Sequence, residues 1–124
     1  MEFDELSNRV IGCAIEVHRA PGPVLLESAY EQCLARELAL TDIAFQVQAP
    51  LPVEYKGVRL DCGYRIDLFV EKQLIIELKS VEKFLPIHEA QLLTYMKLAN
   101  VSVGLLMNFN VELLKNGGIK RFVL

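Results

Sequence analysis

The segment 63–81 constrains the fold of this chain more than any other stretch. It carries two short, mostly apolar stretches, residues 63–70 and 74–81, with the three polar residues Glu71-Lys72-Gln73 between them. Apolar runs of this length on either side of a short polar turn are typical of a β-hairpin. The chain is therefore expected to fold around a sheet that contains this hairpin.

Burial determines how the two strands of the hairpin align. If Val70 pairs with Leu74 across the turn, one face of the hairpin is entirely apolar. A slip of one residue would mix the apolar and charged faces, which burial disfavours. The further pairs expected on the apolar face are Leu68 with Ile76 and Ile66 with Leu78. The pairs expected on the other face are Phe69 with Ile75, Asp67 with Glu77, and Arg65 with Lys79.

This register places two carboxylates side by side. Side chains on opposed residues lie about 5 Å apart, and like charges at that distance are destabilising unless something neutralises them. Mg²⁺ is a suitable counter-ion, since it binds through one or two carboxylates together with waters and phosphate oxygens. Lys79 lies two residues after Glu77, on the same face, where an ammonium can orient a water or stabilise charge on a phosphate. The alternative is a buried ion pair of Asp67 or Glu77 with Lys79 or Arg65 that performs no chemistry.

The rest of the chain alternates helical and strand patterns. Apolar residues at helical spacing predict the first helix, and Pro86 is a favourable first residue for the third. The fold class is therefore α/β (α+β), with helices flanking a mixed central sheet in the order ααβββαββ. The other expected elements are a helix over 3–19, a break at Pro21-Gly22-Pro23, a helix over 25–40, a bent or edge strand over 44–56, a helix over 86–99, a buried strand over 101–107 and a strand over 119–124.

Composition narrows the class of protein. The chain has 124 residues, of which 52% are hydrophobic, and this length suits a single domain over 1–124. The net charge of −3 argues against a generic polybasic nucleic-acid binder, although local basic patches remain compatible with it. No apolar run is long enough to cross a bilayer. The three cysteines are an odd number without CxxC spacing, which disfavours a disulfide framework or a zinc site and favours a reducing, cytoplasmic location.

Two motifs in the second half of the chain resemble a known group of enzymes. Asp67 followed by Glu77-Leu78-Lys79 resembles the D…(D/E)-x-K signature of the PD-(D/E)XK nuclease superfamily, with Ile66 in place of the usual proline. Gln91 and Tyr95 resemble the Q-x-x-x-Y element of RecB-like nucleases. The fold that this resemblance implies is a restriction-endonuclease-like core.

A third motif lies upstream, in HRAPGPVLLESAYE. It resembles the motif of the bacterial GxxExxY proteins, a branch of the same superfamily. Pro21 and Val24 depart from that motif, and Val24 replaces the glycine that names the branch. The Val24 change affects the expected geometry of the local turn, whereas Glu27 is retained. The resemblance extends from about residue 5 to residue 124. The matching positions are His18, Gly22, Pro23, Leu25, Leu26, Glu27 and Tyr30.

The resemblance implies a nuclease that hydrolyses phosphodiester bonds with a metal-activated water. Asp67, Glu77 and the backbone carbonyl of Leu78 would bind Mg²⁺, for which Mn²⁺ would substitute, and Glu27 is a further candidate ligand. Lys79 would position the attacking water. The partner would be nucleic acid, with DNA as the first candidate and RNA as the second, and not a membrane. The remaining candidates are Gln91 and Tyr95 as catalytic residues and Tyr30, Arg65 and His88 as substrate contacts.

Several alternatives remain open at this level. A nuclease-fold module without turnover could bind nucleic acid or a protein partner, and a strand after Gly118 could pair with a second copy of the chain. Glu27 could be a favourable partner for a helix dipole. Gln91 and Tyr95 could form a hydrogen-bonded pair without a catalytic role, and His88 could be a local hydrogen-bond partner. Binding of a divalent ion discriminates between a catalytic site and a structural ion pair.

Overall fold

The computed structural model describes residues 4–20 and 26–124. Its described part is a mixed α+β structure, as the sequence predicted. The helices and strands in chain order are α1 (Glu5–Arg19), α2 (Glu27–Leu40), β1 (Phe45–Pro50), β2 (Val53–Tyr55), β3 (Val58–Leu60), β4 (Arg65–Val70), β5 (Leu74–Lys79), α3 (Pro86–Ala99), β6 (Val103–Asn108) and β7 (Ile119–Val123).

Five strands form a mixed sheet in the order β1-β4-β5-β6-β7. The β5–β6 pair is parallel, and α3 forms the crossover between these two strands, as parallel pairs require. The other neighbouring pairs are antiparallel. The hairpin predicted over 63–81 therefore lies inside the sheet, with β1 on one side and β6 on the other.

Local signals account for the helix boundaries. Asp4 caps α1, because its Oδ1 accepts the backbone N–H of Ser7 at 2.8 Å. The predicted bounds of α3 are confirmed: it begins at Pro86 and ends at Ala99, where Asn100 takes a left-handed conformation. The break predicted at Pro21-Gly22-Pro23 and the predicted starts of the first two helices lie outside the described residues.

The core has two apolar clusters, one on each face of the sheet. Because side chains alternate along a strand, Leu74 and Ile76 belong to one cluster and Ile75 to the other. The first cluster includes residues of α1 and α2, and the second includes residues of α3. Gly104 permits the close approach of α3 to β6, since a Cβ there would lie 2.7 Å from Sδ of Met96.

The expected element order ααβββαββ was wrong in one region. The single strand expected over 44–56 is two strands, and β2 pairs with β3 in a separate two-stranded hairpin. Pro50 and Pro52 separate β1 from β2, because proline removes a ladder donor. Lys56 and Gly57 both have positive φ, 48° and 80°, as a tight hairpin turn requires. The observed order is therefore ααβββββαββ.

None of the helices in the described residues is long and apolar enough to cross a bilayer.

Candidate active site

The site forms where β4 and β5 separate. The three predicted pairs nearest the turn are confirmed, namely Val70 with Leu74, Phe69 with Ile75 and Leu68 with Ile76. The strand-to-strand register does not continue to the predicted Asp67–Glu77, Ile66–Leu78 and Arg65–Lys79 pairs. At this point side-chain carboxylates, and not backbone carbonyls, accept the hydrogen bonds of the backbone N–H groups. This is the physical reason why the strand pairing stops.

Asp67 and Glu77 each bond to the backbone of the opposite strand. Oε2 of Glu77 accepts the backbone N–H of Asp67 at 2.8 Å. Oδ2 of Asp67 accepts the backbone N–H of Leu78, also at 2.8 Å. The two carboxylates are thus inserted between the strands and lie close together. The N–H and carbonyl of one strand residue point toward the same neighbouring strand, so the Leu78 carbonyl lies on the side of Asp67.

Burial makes this carboxylate pair electrostatically unfavourable. Glu77 is only 3% exposed, and its burial, with the nearby charge of Asp67, raises its pKa to about 8. Burial also raises the pKa of Asp67. Among the described residues neither carboxylate has an ion-pair partner, and Arg65 contacts Asp61 at 3.5 Å instead. A structural ion pair therefore does not describe this site, and a cation or a proton is needed to balance it.

Lys79 follows on β5 at the same end of the strand. Burial raises the pKa of the Asp67 and Glu77 carboxyls, and the positive charge of Lys79 partly offsets that increase in both. The backbone of Lys79 is held by the residue that follows β6, since its carbonyl accepts the N–H of Phe109 at 3.0 Å. Lys79 is half-buried.

Glu27 reaches the same place from α2. It is the first residue of that helix, and its Oε2 accepts the backbone N–H of Ser80 at 2.9 Å. Its negative charge adds to the increase in the pKa of Asp67 that burial causes. The carboxylate of Glu27 thus lies beside the end of β5, next to Lys79.

Gln91 and Tyr95 approach from α3. Nε2 of Gln91 donates to the Tyr95 hydroxyl oxygen at 3.0 Å. The two residues therefore form the hydrogen-bonded pair that was one of the alternatives predicted from the sequence. Burial raises the pKa of Tyr95, and the charges of Glu77 and Asp67 raise it further. The hydroxyl is therefore within electrostatic reach of the carboxylate pair.

The three expected substrate contacts have local partners. Tyr30 is fully buried and stacks on Phe109 with ring centroids 4.0 Å apart, which argues for a core role and against contact with a substrate. Arg65 donates to the Tyr64 carbonyl at 2.8 Å. Nδ1 of His88 accepts the backbone N–H of Leu85 at 3.0 Å and caps α3. This is the local hydrogen bond that was the predicted alternative for His88.

Two residues of the site were missed at the level of sequence. Nε2 of Gln48 donates to Oε2 of Glu31 at 2.6 Å and to Oδ1 of Asp67 at 3.2 Å. Burial raises the pKa of Glu31. Glu31 follows Glu27 by four residues on α2, and that spacing places both on one helix face, which was an available signal. Gln48 carried no such signal, because its role depends on contacts with α2 and β4.

The donor set fits a hard divalent cation. It consists of two carboxylates and a backbone carbonyl, all oxygen, which Mg²⁺ accepts together with waters. Within the described ranges, no group of three or more His, Cys, Asp and Glu side chains could enclose a metal ion. Two carboxylates and one carbonyl are fewer ligands than Mg²⁺ takes, so a cation held by them would keep water ligands.

Asn108 anchors the loop that follows β5. It is buried, and its Oδ1 accepts the N–H groups of Val81 at 3.1 Å and of Asn110 at 3.0 Å, while its Nδ2 donates to the Val81 carbonyl at 2.8 Å. We expect Asn108→Ala to lower the free energy of unfolding by about 2–3 kcal/mol, because it removes three hydrogen bonds made by one buried side chain. Urea denaturation measures this change.

Asn110→Ala is the matched control for this prediction. Asn110 is exposed, and its amide makes a single bond to the Val81 carbonyl, at 3.2 Å. The expected loss is below about 1 kcal/mol. Equal losses in the two variants would contradict the anchoring role of Asn108.

Comparison with known proteins provides one positive finding. A family model described as the PD-(D/E)XK nuclease superfamily matches residues 4–122. The mixed sheet flanked by helices is consistent with the restriction-endonuclease-like fold of that superfamily. Searches of curated proteins and of solved structures found no match to this chain.

Proposed function

Since the chain belongs to the PD-(D/E)XK nuclease superfamily, we propose that it is a Mg²⁺-dependent nuclease that hydrolyses phosphodiester bonds in DNA. The observation that carries this proposal is the bonding of Asp67 and Glu77 to the backbone of the opposite strand. It holds a half-buried and a buried carboxylate close together, without an ion-pair partner among the described residues. We further propose that it belongs to the GxxExxY branch, on the resemblance around Glu27.

Asp67, Glu77 and the Leu78 carbonyl would hold the cation, and Mn²⁺ would substitute for Mg²⁺. When bound, such a cation lowers the pKa of a water and neutralises charge on the phosphate. The chain itself supplies the orientation of the ligands, because the backbone N–H groups of Asp67 and Leu78 fix one oxygen of each carboxylate. This preorganisation avoids reordering of the ligands during the reaction.

Lys79 is proposed to orient the attacking water and to stabilise negative charge on the phosphoryl oxygens. Its position on β5, beside the two carboxylates, supports this role, since its charge already influences the pKa of both groups that burial has raised. Glu27 is proposed as an additional ligand through cation-bound water. Gln91 and Tyr95 are proposed to contact that water or the substrate from α3.

Basic residues beside the site would contact the phosphate backbone. The β2–β3 hairpin leaves the sheet after Pro50, which pairs with Arg65 at the site end of β4. It carries Lys56 and Arg59, both exposed. Lys72, in contrast, lies in the turn between β4 and β5, at the end of β4 away from Arg65, and is not part of this surface.

Metal titration combined with cleavage assays tests the proposal. Mn²⁺ and Mg²⁺ are titrated by calorimetry into the wild type, Lys79→Ala and Asp67→Asn, and the same proteins are assayed on plasmid, linear and branched DNA. We expect wild type to bind metal and cleave, Lys79→Ala to bind metal with cleavage reduced about 10²–10³-fold, and Asp67→Asn to lose both. Lys97→Ala, an exposed position at the end of α3, is the control and should behave as wild type.

Each outcome has a distinct meaning. Metal binding without cleavage by the wild type would leave the site in place and favour a module that binds nucleic acid or a protein partner without turnover. Absence of metal binding would overturn the proposed active site. Full activity in a folded Lys79→Ala variant would remove Lys79 from the mechanism.

A further inference from the structure

We propose that Gln48 is a positioning residue of this site. Its side-chain amide links Asp67 to Glu31 and so holds Asp67 in the orientation that binds the cation. The inference rests on the proposed metal-dependent function. Gln48 belongs to none of the motifs on which the resemblance depends, and the evidence for its role is geometric.

The amide of Gln48 lies between two carboxylates that would otherwise repel each other. Its Nε2 donates to Oε2 of Glu31 at 2.6 Å and to Oδ1 of Asp67 at 3.2 Å. A primary amide has two N–H donors, so one nitrogen can serve both acceptors. The second oxygen of Asp67, Oδ2, is held by the N–H of Leu78. Both oxygens of Asp67 are therefore held by neighbouring strands, Oδ1 from β1 and Oδ2 from β5, and Glu31 of α2 holds the Gln48 amide.

The backbone of Gln48 adopts a conformation that places the amide there. Its φ is 51°, in the left-handed region, although it lies within β1 and is not a glycine. The register of β1 and β4 pairs Val47 with Leu68 and Ala49 with Ile66, and Gln48 lies between these pairs, opposite Asp67. Such a conformation is unfavourable for an L-residue and persists where surrounding contacts require it.

The backbone strain at Gln48 and its clamping role affect different measurements. Glycine adopts positive φ without steric cost, so Gln48→Gly relieves the backbone strain while it removes the amide. A residue with only a structural role would lower the melting temperature when its side chain is lost. A positioning residue would lower metal affinity while the melting temperature stays equal or rises. The two roles therefore predict opposite patterns.

The experiment measures Mn²⁺ affinity by calorimetry, without nucleic acid, and the melting temperature in the absence of metal. We expect Gln48→Gly to melt no lower than the wild type and to bind Mn²⁺ about 10-fold more weakly, the effect typical of groups that orient metal ligands. Its kcat should recover at saturating Mn²⁺, with KM for DNA unchanged. Gln46→Gly, at an exposed position of the same strand, should show the reverse, with a lower melting temperature and unchanged Mn²⁺ affinity.

Three results would overturn the inference. Gln48→Gly with wild-type Mn²⁺ affinity would show that the clamp does not act on the metal site. A lower melting temperature together with weaker binding would assign Gln48 to folding. A wild type that binds no Mn²⁺ would overturn the proposed function as well, which distinguishes that failure from the first two.

Discussion

Glu77→Gln is expected to abolish metal-dependent cleavage, with a loss on the order of 10³-fold or more in kcat/KM. Glutamine keeps the shape of the side chain and an oxygen that can accept the Asp67 N–H, so the junction between β4 and β5 is preserved. It removes the negative charge that the cation requires. The variant should therefore fold as the wild type does and fail to bind Mn²⁺.

Calorimetry and a cleavage assay on the same preparations measure this effect. Glu82→Gln is the matched control, because Glu82 is an exposed residue in the loop directly after β5 and the same change there should leave both activities intact. A folded Glu77→Gln protein that cleaves DNA at the wild-type rate would exclude Glu77 from the active site.

The second large effect is a loss of stability with rising pH in the metal-free protein. Burial, with the nearby charge of Asp67, raises the pKa of Glu77 from 4.5 to about 8. The folded state therefore binds more protons than the unfolded state between these values, and stability decreases as pH rises through them. We expect a decrease on the order of 4 kcal/mol between pH 5 and pH 8, and the raised pKa of Asp67 acts in the same direction.

Urea denaturation across this pH range, in the presence of a chelator, measures the decrease. The pKa of the Asp4 carboxyl is lowered to about 2, because its hydrogen bonds to Ser7 and Arg121 outweigh the effect of burial, which raises the pKa. Its contribution is lost only when the pH falls below about 4, so it does not interfere. Glu77→Gln should flatten the profile, whereas Mn²⁺ at about 100 times its dissociation constant should restore about 2.7 kcal/mol at pH 8. A flat profile in the wild type would contradict the electrostatic description of the pair.

Much of the fold was predictable because its signals are local. The apolar alternation around the Glu71-Lys72-Gln73 turn predicted the register near that turn, and Pro86 predicted the start of α3. The β2–β3 hairpin was missed, although Lys56-Gly57 carries a glycine at one of its two turn positions. The two prolines nearby were interpreted as a bend within one strand, when they mark the boundary between two.

The chemistry of the site was partly predictable for the same reason. Asp67, Glu77 and Lys79 lie close in sequence, on two strands joined by a short turn, and their side chains follow from strand alternation. The end of the β4–β5 strand pairing at these residues could not be predicted from the sequence, because it depends on which acceptor each backbone N–H bonds to. In the structure the carboxylates of Asp67 and Glu77 outcompete the opposite strand's carbonyls for these groups.

The amino-acid sequence by itself determined the three helices, the central hairpin and the carboxylate pair, because periodicity, turn residues and strand alternation act over a few residues. Only the tertiary structure decided which distant groups complete the site. Glu31 and Gln48 meet Asp67 across α2, β1 and β4, and Asn108 holds the loop after β5 from β6. These contacts join residues 17 to 27 positions apart in the chain, and they form only when elements that are distant in sequence pack together.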